Sequence, residues 1–242
     1  CMLVGGAAAS EAMIRAFDRF DLRVLHAWGM TETTPLGTTG YLKRHLQGLP
    51  ADERYAYRGK QGVPAPFVEV RAMTDKGEAP WDGATMGELQ VRGPWIAASY
   101  YQLAAEADKW TPDGWFRTGD VVTIDGEGYV KITDRTKDLI KSGGEWISSI
   151  DLENALAGHP AVQEAAVIAV PHAKWDERPL AVIVLKPGSA ANEQELRAYL
   201  APRFAKFWLP DGFVFVDEIP RTSTGKMLKA KLRERFHGWR RD

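Results

Sequence analysis

The sequence predicts a mixed fold class, an α/β segment followed by a β-rich segment and then an α+β segment. Residues 1–60 alternate strand-like and helical patterns, and residues 61–133 contain short alternating strands between glycines and prolines. Residues 134–242 combine apolar strands with amphipathic helices. A chain of 242 residues can hold one large domain or two smaller ones, and its 45% hydrophobic content is ordinary for a globular protein.

The first segment contains a strand, a helix and a second strand. The apolar pair Leu3–Val4 ends at Gly5–Gly6, Ser10 can cap a helix, and Leu22–Leu25 has strand character. The predicted helix carries four apolar residues, namely Met13, Ile14, Phe17 and Phe20. Ligands of α/β units bind beyond the carboxyl ends of strands, so the glycine-containing turns that follow each strand are candidate sites.

The second segment is predicted to form a small β-barrel or sandwich. Its strand-like stretches are residues 67–71, residues 87–92 and a hairpin of residues 122–124 and 130–132 around the turn Asp125–Gly128. Turns at residues 75–77 and 82–83 separate the earlier strands.

The third segment has the pattern of a compact α+β domain. Ser148 or Ser149 can cap a helix that runs to Leu156. The elements predicted after it are strands at 162–170 and 180–185, a helix at 193–207, a strand at 213–216 and a closing helix at 227–236.

Charge and cysteine content exclude several classes of protein. A net charge of −1 gives no overall attraction to nucleic acid, and the single cysteine, Cys1, excludes an internal disulfide and a cysteine-based zinc site. No apolar run reaches the roughly 18 residues of a membrane span, so we expect a cytoplasmic protein and leave peripheral membrane contact and oligomerisation open. Eight Lys and Arg residues between Pro220 and Asp242 predict either a solvated helix face or a site for phosphate groups.

Three short motifs carry groups suited to a nucleotide. Trp28–Glu32 offers an aromatic face for a base, a hydroxyl for a phosphate oxygen and a carboxylate of the kind that binds Mg²⁺. Thr118–Asp120 and Arg135 flank the hairpin and could hold a ribose. Pro220–Lys226 places a lysine on a loop of small residues before a helix, although it is not a Walker A motif.

The tract from Gly114 to Trp146 brings several such features together. After the hairpin and Arg135 come two lysines, Lys137 and Lys141, and then a glycine-rich stretch, Ser142–Gly144. We interpret this stretch as a flexible, charged link between two bodies that move around a bound anion.

In their order along the chain, these motifs resemble those of the adenylate-forming superfamily of acyl-CoA synthetases, acyl-activating domains and beetle luciferases. The residues that carry the resemblance are Trp28–Glu32, Gly87–Leu89 with Arg92–Pro94 and Tyr100–Tyr101, Gly114–Asp120, Asp134–Gly144 and Pro220–Lys226. Ser99 stands where the family usually has glycine. Lys141–Leu156 is especially similar to medium- and long-chain fatty-acid–CoA ligases.

The resemblance implies a domain organisation. Residues 1–133 would be the carboxy-terminal part of a large AMP-binding domain, and residues 134–242 a small mobile domain. The family's Ser/Thr/Gly-rich phosphate loop is absent from the sequence. We therefore expect the carboxy-terminal portion of a fatty-acid–CoA ligase, inactive alone, that uses ATP, Mg²⁺ and coenzyme A when intact.

For the formation of acyl-AMP, the resemblance assigns a role to each motif. Lys226 would bridge the carboxylate and the α-phosphate, Thr31 would contact the α-phosphate, and Glu32 would hold Mg²⁺. Asp120 and Arg135 would hold the ribose. The other implied nucleotide contacts are Gly5, Gly6, Ala7, Trp28, Gly29 and, in one state, Trp146.

For the transfer of the acyl group to CoA, the resemblance implies that the small domain rotates. The hinge would include Asp134 and Lys137. Lys141 would then enter the active site as a catalytic residue, and the residues beside the thiol arm of CoA would be Ser142, Gly143 and Gly144, where glycine allows close approach.

Three other functions stay open from the sequence. One is a fatty acyl-AMP ligase that loads a carrier protein, and a second is a CoA ligase for aromatic or short-chain acids. The third belongs to another class, an isolated module that only binds nucleotide weakly.

Overall fold

The computed structural model describes residues 1–6, 9, 11–222, 225 and 227–239, with the backbone alone at residues 104 and 105. The predicted contacts Ala7 and Lys226 and the predicted helix cap Ser10 lie outside the described residues. The chain forms two compact units, Cys1–Thr133 and Asp134–Asp242.

The first unit begins with a four-stranded sheet in the order β1-β2-β3-β4. Its elements are β1 (Met2–Val4), α1 (Glu11–Asp18), β2 (Val24–Trp28), β3 (Thr38–Thr39), α2 (Ala51–Arg58) and β4 (Val63–Pro64). Strands β1 and β2 are parallel, with Val4 beside His26, so the residues that follow each strand lie at the same edge of the sheet. Helix α1 ends at Asp18, and Phe20, predicted on its apolar side, is 82% exposed beyond it.

A second sheet of five strands completes this unit. Its strands are β5 (Glu69–Thr74), β6 (Gly77–Glu78), β7 (Gly87–Arg92), β8 (Phe116–Ile124) and β9 (Val130–Arg135). A small β-barrel or sandwich was predicted for residues 61–133; their described strands follow an open path, β6-β5-β7-β8-β9, and no closed barrel is seen among them. At two residues, edge strand β6 is too short to close the sheet against β9.

The second unit has one sheet with helices on both faces. Its elements are β10 (Ile140–Ser142), β11 (Glu145–Ile147), α3 (Ser149–Ala157), β12 (Val162–His172), β13 (Asp176–Leu185), α4 (Glu193–Leu200), β14 (Gly212–Phe215) and α5 (Lys229–Phe236). The sheet order is β11-β10-β13-β12, and β14 runs parallel to β13. Short 3-10 helices occur at Thr31–Thr33, Arg44–Gly48, Ala104–Lys109 and Lys206–Trp208.

Alternation along β12 and β13 explains the two faces of this sheet. Val167 and Ile183 pack with residues of α3 and α4, whereas Ile168 and Val182 pack with residues of α5. A strand covered on both faces is apolar at nearly every position, as β13 is after its three charged first residues, from Pro179 to Leu185. Helix α4 ends at Leu200 rather than at the predicted residue 207. Ala201 still has helical backbone, with φ −53° and ψ −40°, but Pro202 has no N–H to continue the helical hydrogen bonds.

Among the described residues, no helix combines the length and the apolar composition needed to cross a bilayer.

Candidate active site

The predicted phosphate and metal contacts lie on a tight turn directly after β2. Thr33 is buried there; its Oγ1 accepts the N–H of Met30 at 2.9 Å and donates to the carbonyl of Pro35 at 2.7 Å. A Cβ at Gly29 would lie 1.7 Å from that carbonyl oxygen, so only glycine fits. The turn is therefore fixed from within and leaves Thr31 exposed.

Trp28 and Asp120, 92 residues apart in the chain, meet inside the first unit. The indole Nε1 of Trp28 donates to Oδ2 of Asp120 at 2.7 Å, and the two residues are 6% and 7% exposed. The Trp28 ring also packs on Gly37, where a Cβ would come within 2.3 Å of it. Because so little of the ring is exposed, the structure favours a role in fixing Asp120 over the predicted role in stacking on a base.

The backbone around Asp120 is fixed as well. The hydroxyl of Thr118 accepts the N–H of Asp120 at 3.1 Å and donates to the carbonyl of Leu89 at 2.8 Å. Gly119 between them has φ +73°, a conformation that glycine adopts at little cost. The Thr-Gly-Asp bend thus holds its carboxylate through both backbone and side-chain bonds.

The carboxylate of Glu32 is half-buried and bonded to a residue to which sequence reasoning gave no role. The phenol of Tyr100 donates to Oε1 of Glu32, and this bond raises the pKa of Tyr100 to about 12. Within the described ranges, no three His, Cys, Asp or Glu side chains cluster as metal ligands. One carboxylate still fits Mg²⁺, which keeps several waters and commonly binds phosphates together with one or two carboxylates.

In the second unit, strands β10 and β11 form a hairpin that the sequence did not predict. Gly143 and Gly144 are its two turn residues, with φ +60° and +86°, and Lys141 lies opposite Trp146. The glycine pair is therefore a defined turn rather than a flexible link. A Cβ at Gly143 would lie 2.8 Å from the ring of Trp175, whose carbonyl accepts the Gly143 N–H.

A buried arginine fixes the base of this hairpin. Arg178, 8% exposed, donates to the hydroxyl of Ser142 at 3.0 Å, to Asp211 at 2.9 Å and to the carbonyl of Leu209 at 3.0 Å. The backbone N–H of Lys141 donates to Glu177 at 2.8 Å, and the Lys141 side chain is exposed. The hairpin thus presents the exposed side chain of Lys141 next to a glycine turn with a fixed geometry.

The predicted ribose contact Arg135 and the predicted hinge residues Asp134 and Lys137 lie at the end of β9 and on the turn after it. Asp134 is 1% exposed and accepts the N–H groups of Arg135 at 2.7 Å and Ser149 at 2.6 Å. Arg135 and Lys137 are exposed on a turn in which the Arg135 carbonyl accepts N–H bonds from the two residues after Lys137. Of the two predicted hinge residues, this geometry favours Lys137, because rotation at Asp134 would break its buried bonds.

The buried cation Lys229 was missed by sequence reasoning. Its Nζ lies 2.7 Å from Oε1 of Glu153 and 2.6 Å from the hydroxyl of Ser149, 80 positions away in the chain. Burial raises the pKa of both Glu153 and Asp134, and the ammonium of Lys229 opposes the shift in each case. No local pattern in the sequence signals a contact over that separation.

Models of known families match parts of both units. The sequence model described as AMP-binding enzyme matches residues 1–101, and the model described as AMP-binding enzyme C-terminal domain matches residues 151–226. The chain belongs to the AMP-binding enzyme family.

Two bacterial ligases are among its similar relatives. A long-chain-fatty-acid–CoA ligase from Thermus thermophilus is 50% identical over 241 residues, which cover 98% of this chain and 44% of that protein. A medium-chain-fatty-acid–CoA ligase from Ectopseudomonas oleovorans is 45% identical over 97% of this chain and 43% of its own length. The chain thus spans less than half the length of the curated relatives it matches.

Solved structures give the same fold. ATP-bound MatB from Rhodopseudomonas palustris superposes with a TM-score of 0.82 at 32% identity, over 97% of this chain and 45% of that one. The o-succinylbenzoate CoA synthetase from Bacillus subtilis, in complex with its acyl-adenylate intermediate, superposes with a TM-score of 0.83 at 31% identity, over 96% and 46%.

Proposed function

We propose that this chain is part of an AMP-forming acid–CoA ligase that acts on a fatty acid. The observation that carries the proposal is the Trp28–Asp120 bond, which joins two distant motifs of the family into one polar site beside the turn at Thr31 and Glu32. The names of the similar ligases support a fatty acid as substrate. We assign Cys1–Thr133 to the large AMP-binding domain and Asp134–Asp242 to the small one.

In the first half-reaction, a carboxylate oxygen of the acid attacks the α-phosphorus of ATP and pyrophosphate leaves. Negative charge develops on the phosphate oxygens, so donors and cations placed around them lower the barrier. We assign Lys226 and Thr31 to these oxygens. Asp120 and Arg135 would hold the ribose hydroxyls, Gly5 and Gly6 would border the adenine, and Mg²⁺ bound at Glu32 would neutralise phosphate charge.

In the second half-reaction, the CoA sulfur attacks the acyl carbon and AMP leaves with the pair of electrons from the acyl–oxygen bond. The β10–β11 hairpin suits this step because its turn has no side chains to obstruct the thiol arm. Lys141 stands beside that turn with its side chain exposed, where it would stabilise charge on the departing AMP. We assign the pivot between the two half-reactions to Lys137.

The assignment of Lys226 is tested by separating the half-reactions. In the intact enzyme, Lys226→Ala should lower acid-dependent exchange of labelled pyrophosphate into ATP by about 100-fold or more, because the developing charge loses its cation. The conversion of supplied acyl-AMP and CoA to acyl-CoA should remain. Lys231→Ala, on the exposed side of α5, is the matched control. Equal loss of both half-reactions in Lys226→Ala would contradict the assignment.

The assignment of Lys137 predicts the opposite pattern. Lys137→Pro restricts the backbone of the proposed pivot and of the residue before it, so CoA transfer should fall while pyrophosphate exchange remains. Lys137→Ala changes the side chain without restricting the backbone and serves as the control. A Lys137→Pro enzyme with normal CoA transfer would show that the pivot lies elsewhere.

The substrate class is tested by an activity profile over acid chain length. We expect the highest kcat/KM for medium or long saturated acids. A preference for aromatic or short-chain acids would replace that part of the proposal. Release of AMP that depends on a carrier protein and not on CoA would identify an acyl-AMP ligase instead.

A further inference from the structure

The second unit encloses one cation with two carboxylates. Lys229, the first residue of α5, has a side chain 10% exposed and pairs at 2.7 Å with Glu153, which is 15% exposed. The Lys229 ammonium also donates to the hydroxyl of Ser149 at 2.6 Å, and the backbone N–H of Ser149 donates to Oδ2 of Asp134 at 2.6 Å. We call Asp134, Ser149, Glu153 and Lys229 the buried ion cluster.

The buried ion cluster is a costly way to fill this space. Removing charges from water costs several kcal/mol per ion, and well-packed apolar residues often stabilise a fold as well or better. One ammonium also faces two carboxylates, and burial raises the pKa of each of them. What such a cluster provides over an apolar one is directed bonds that fix the segments it joins.

Those segments carry proposed nucleotide contacts on two sides. Oδ1 of Asp134 accepts the N–H of Arg135, one of the residues assigned to the ribose. On the other side, Lys229 directly follows the segment 220–228, which we call the strap. The two ends of the strap are joined where the Leu228 N–H donates to the carbonyl of Pro220 at 2.7 Å and where residues 221 and 227 pair. Lys226 belongs to that strap in the sequence.

We propose that Lys229 is a positioning residue for the formation of acyl-AMP. Its ammonium holds Ser149, whose backbone N–H fixes Asp134 and, through Asp134, the backbone of Arg135. It also anchors the first turn of α5, where the strap ends. The inference rests on the proposed function, because Lys229 would act only through residues that the proposed function assigns to the nucleotide.

The test uses Lys229→Met and Lys229→Arg in the intact enzyme. Lys229→Met should lower kcat for acid-dependent pyrophosphate exchange by about 10- to 100-fold, the loss expected from a misplacement of about 1 Å. Conversion of supplied acyl-AMP to acyl-CoA should change by less than about threefold, which corresponds to about 0.7 kcal/mol. Lys229→Arg keeps the charge and the donors and should recover most of the exchange rate. Lys231→Met, on the exposed side of the same helix, is the control.

A second variant separates positioning from stability. Glu153→Gln combined with Lys229→Met removes the facing charge while the new amide oxygen can still accept the N–H of Val167, which Glu153 accepts at 2.7 Å. This double variant should regain thermal stability relative to Lys229→Met but not the exchange rate. Recovery of both together would show a purely structural role and overturn the inference.

The two proposals fail in different ways. If the unaltered enzyme shows no acid-dependent pyrophosphate exchange, the proposed function is wrong. If the unaltered enzyme exchanges pyrophosphate and Lys229→Met does so at the same rate, or if both half-reactions fall equally, the positioning role alone is wrong.

Discussion

Replacement of Trp28 by phenylalanine tests the bond that joins the two halves of the candidate nucleotide site. The change removes the indole N–H that lies 2.7 Å from Oδ2 of Asp120 and leaves a buried carboxylate oxygen without that donor. A hydrogen bond to a charged group contributes about 1.5–3 kcal/mol, and the smaller ring adds a packing loss. We therefore expect a decrease of about 2–4 kcal/mol in the free energy of unfolding.

Trp95→Phe is the matched control for this experiment. Trp95 donates its indole N–H to the neutral carbonyl of Leu36 at 3.2 Å, a bond worth about 0.5–1.5 kcal/mol. Guanidinium titration followed by circular dichroism should show the larger loss for Trp28→Phe. An equal loss in the two variants would refute the claim that the Trp28–Asp120 bond is charge-assisted.

The same pair of variants also tests the role of Asp120. If Asp120 holds the ribose, Trp28→Phe should raise KM for ATP by about tenfold, which corresponds to about 1.4 kcal/mol of lost orientation. The penalty should disappear with an ATP analogue that lacks both ribose hydroxyls. A penalty of the same size with the analogue would show that Trp28 acts on another part of the nucleotide.

Three further predictions follow from single contacts. Gly143→Ala should destabilise the second unit and slow CoA transfer more than Gly144→Ala does. Both variants place alanine at positive φ, which costs about 1–2 kcal/mol, but only the Cβ at Gly143 meets an aromatic ring, at 2.8 Å. Equal effects of the two variants would rule out the clash. Tyr100→Phe should measurably raise the Mg²⁺ concentration needed for half-maximal exchange, by less than about tenfold, because Glu32 remains and loses only one orienting hydrogen bond. An unchanged Mg²⁺ titration would argue against Glu32 as the Mg²⁺ ligand. The loss of stability in Lys229→Met should be small near pH 4 and grow toward about pH 7. The carboxylates of Asp134 and Glu153 have raised pKa values, so they are ionised only at the higher pH, where the variant leaves them without their counter-ion. A loss measured by urea titration that does not change with pH would contradict the buried ion cluster.

Local patterns predicted most of the strands and helices. The alternation around Asp125–Gly128 predicted the β8–β9 hairpin, and Ser148 caps α3 as expected, accepting the N–H of Asp151 at 3.0 Å. The β10–β11 hairpin could also have been predicted, because a Gly-Gly pair between short strands is a known signal for a two-residue turn. It was missed since the lysines beside the glycines suggested a flexible link.

Other features depend on contacts that no window of sequence contains. Trp28 meets Asp120 across 92 positions, and Lys229 meets Ser149 across 80. The motif order identified Trp28 as a candidate ligand contact, and Lys229 was read as one of the basic residues near the carboxyl end. Only the packing shows that the Trp28 ring is buried and that the Lys229 side chain is no more than 10% exposed. Burial of this kind decides whether a polar group binds a ligand or positions one that does.

We propose that the intact enzyme activates a carboxylic acid as its adenylate and then transfers the acyl group to CoA. The most direct measurement is exchange of labelled pyrophosphate into ATP, followed by AMP release when CoA is added. We predict exchange that requires a fatty acid and Mg²⁺ but not CoA, and AMP release that requires CoA and matches acyl-CoA formed. Absence of acid-dependent exchange, or AMP release that is indifferent to CoA, would contradict the account.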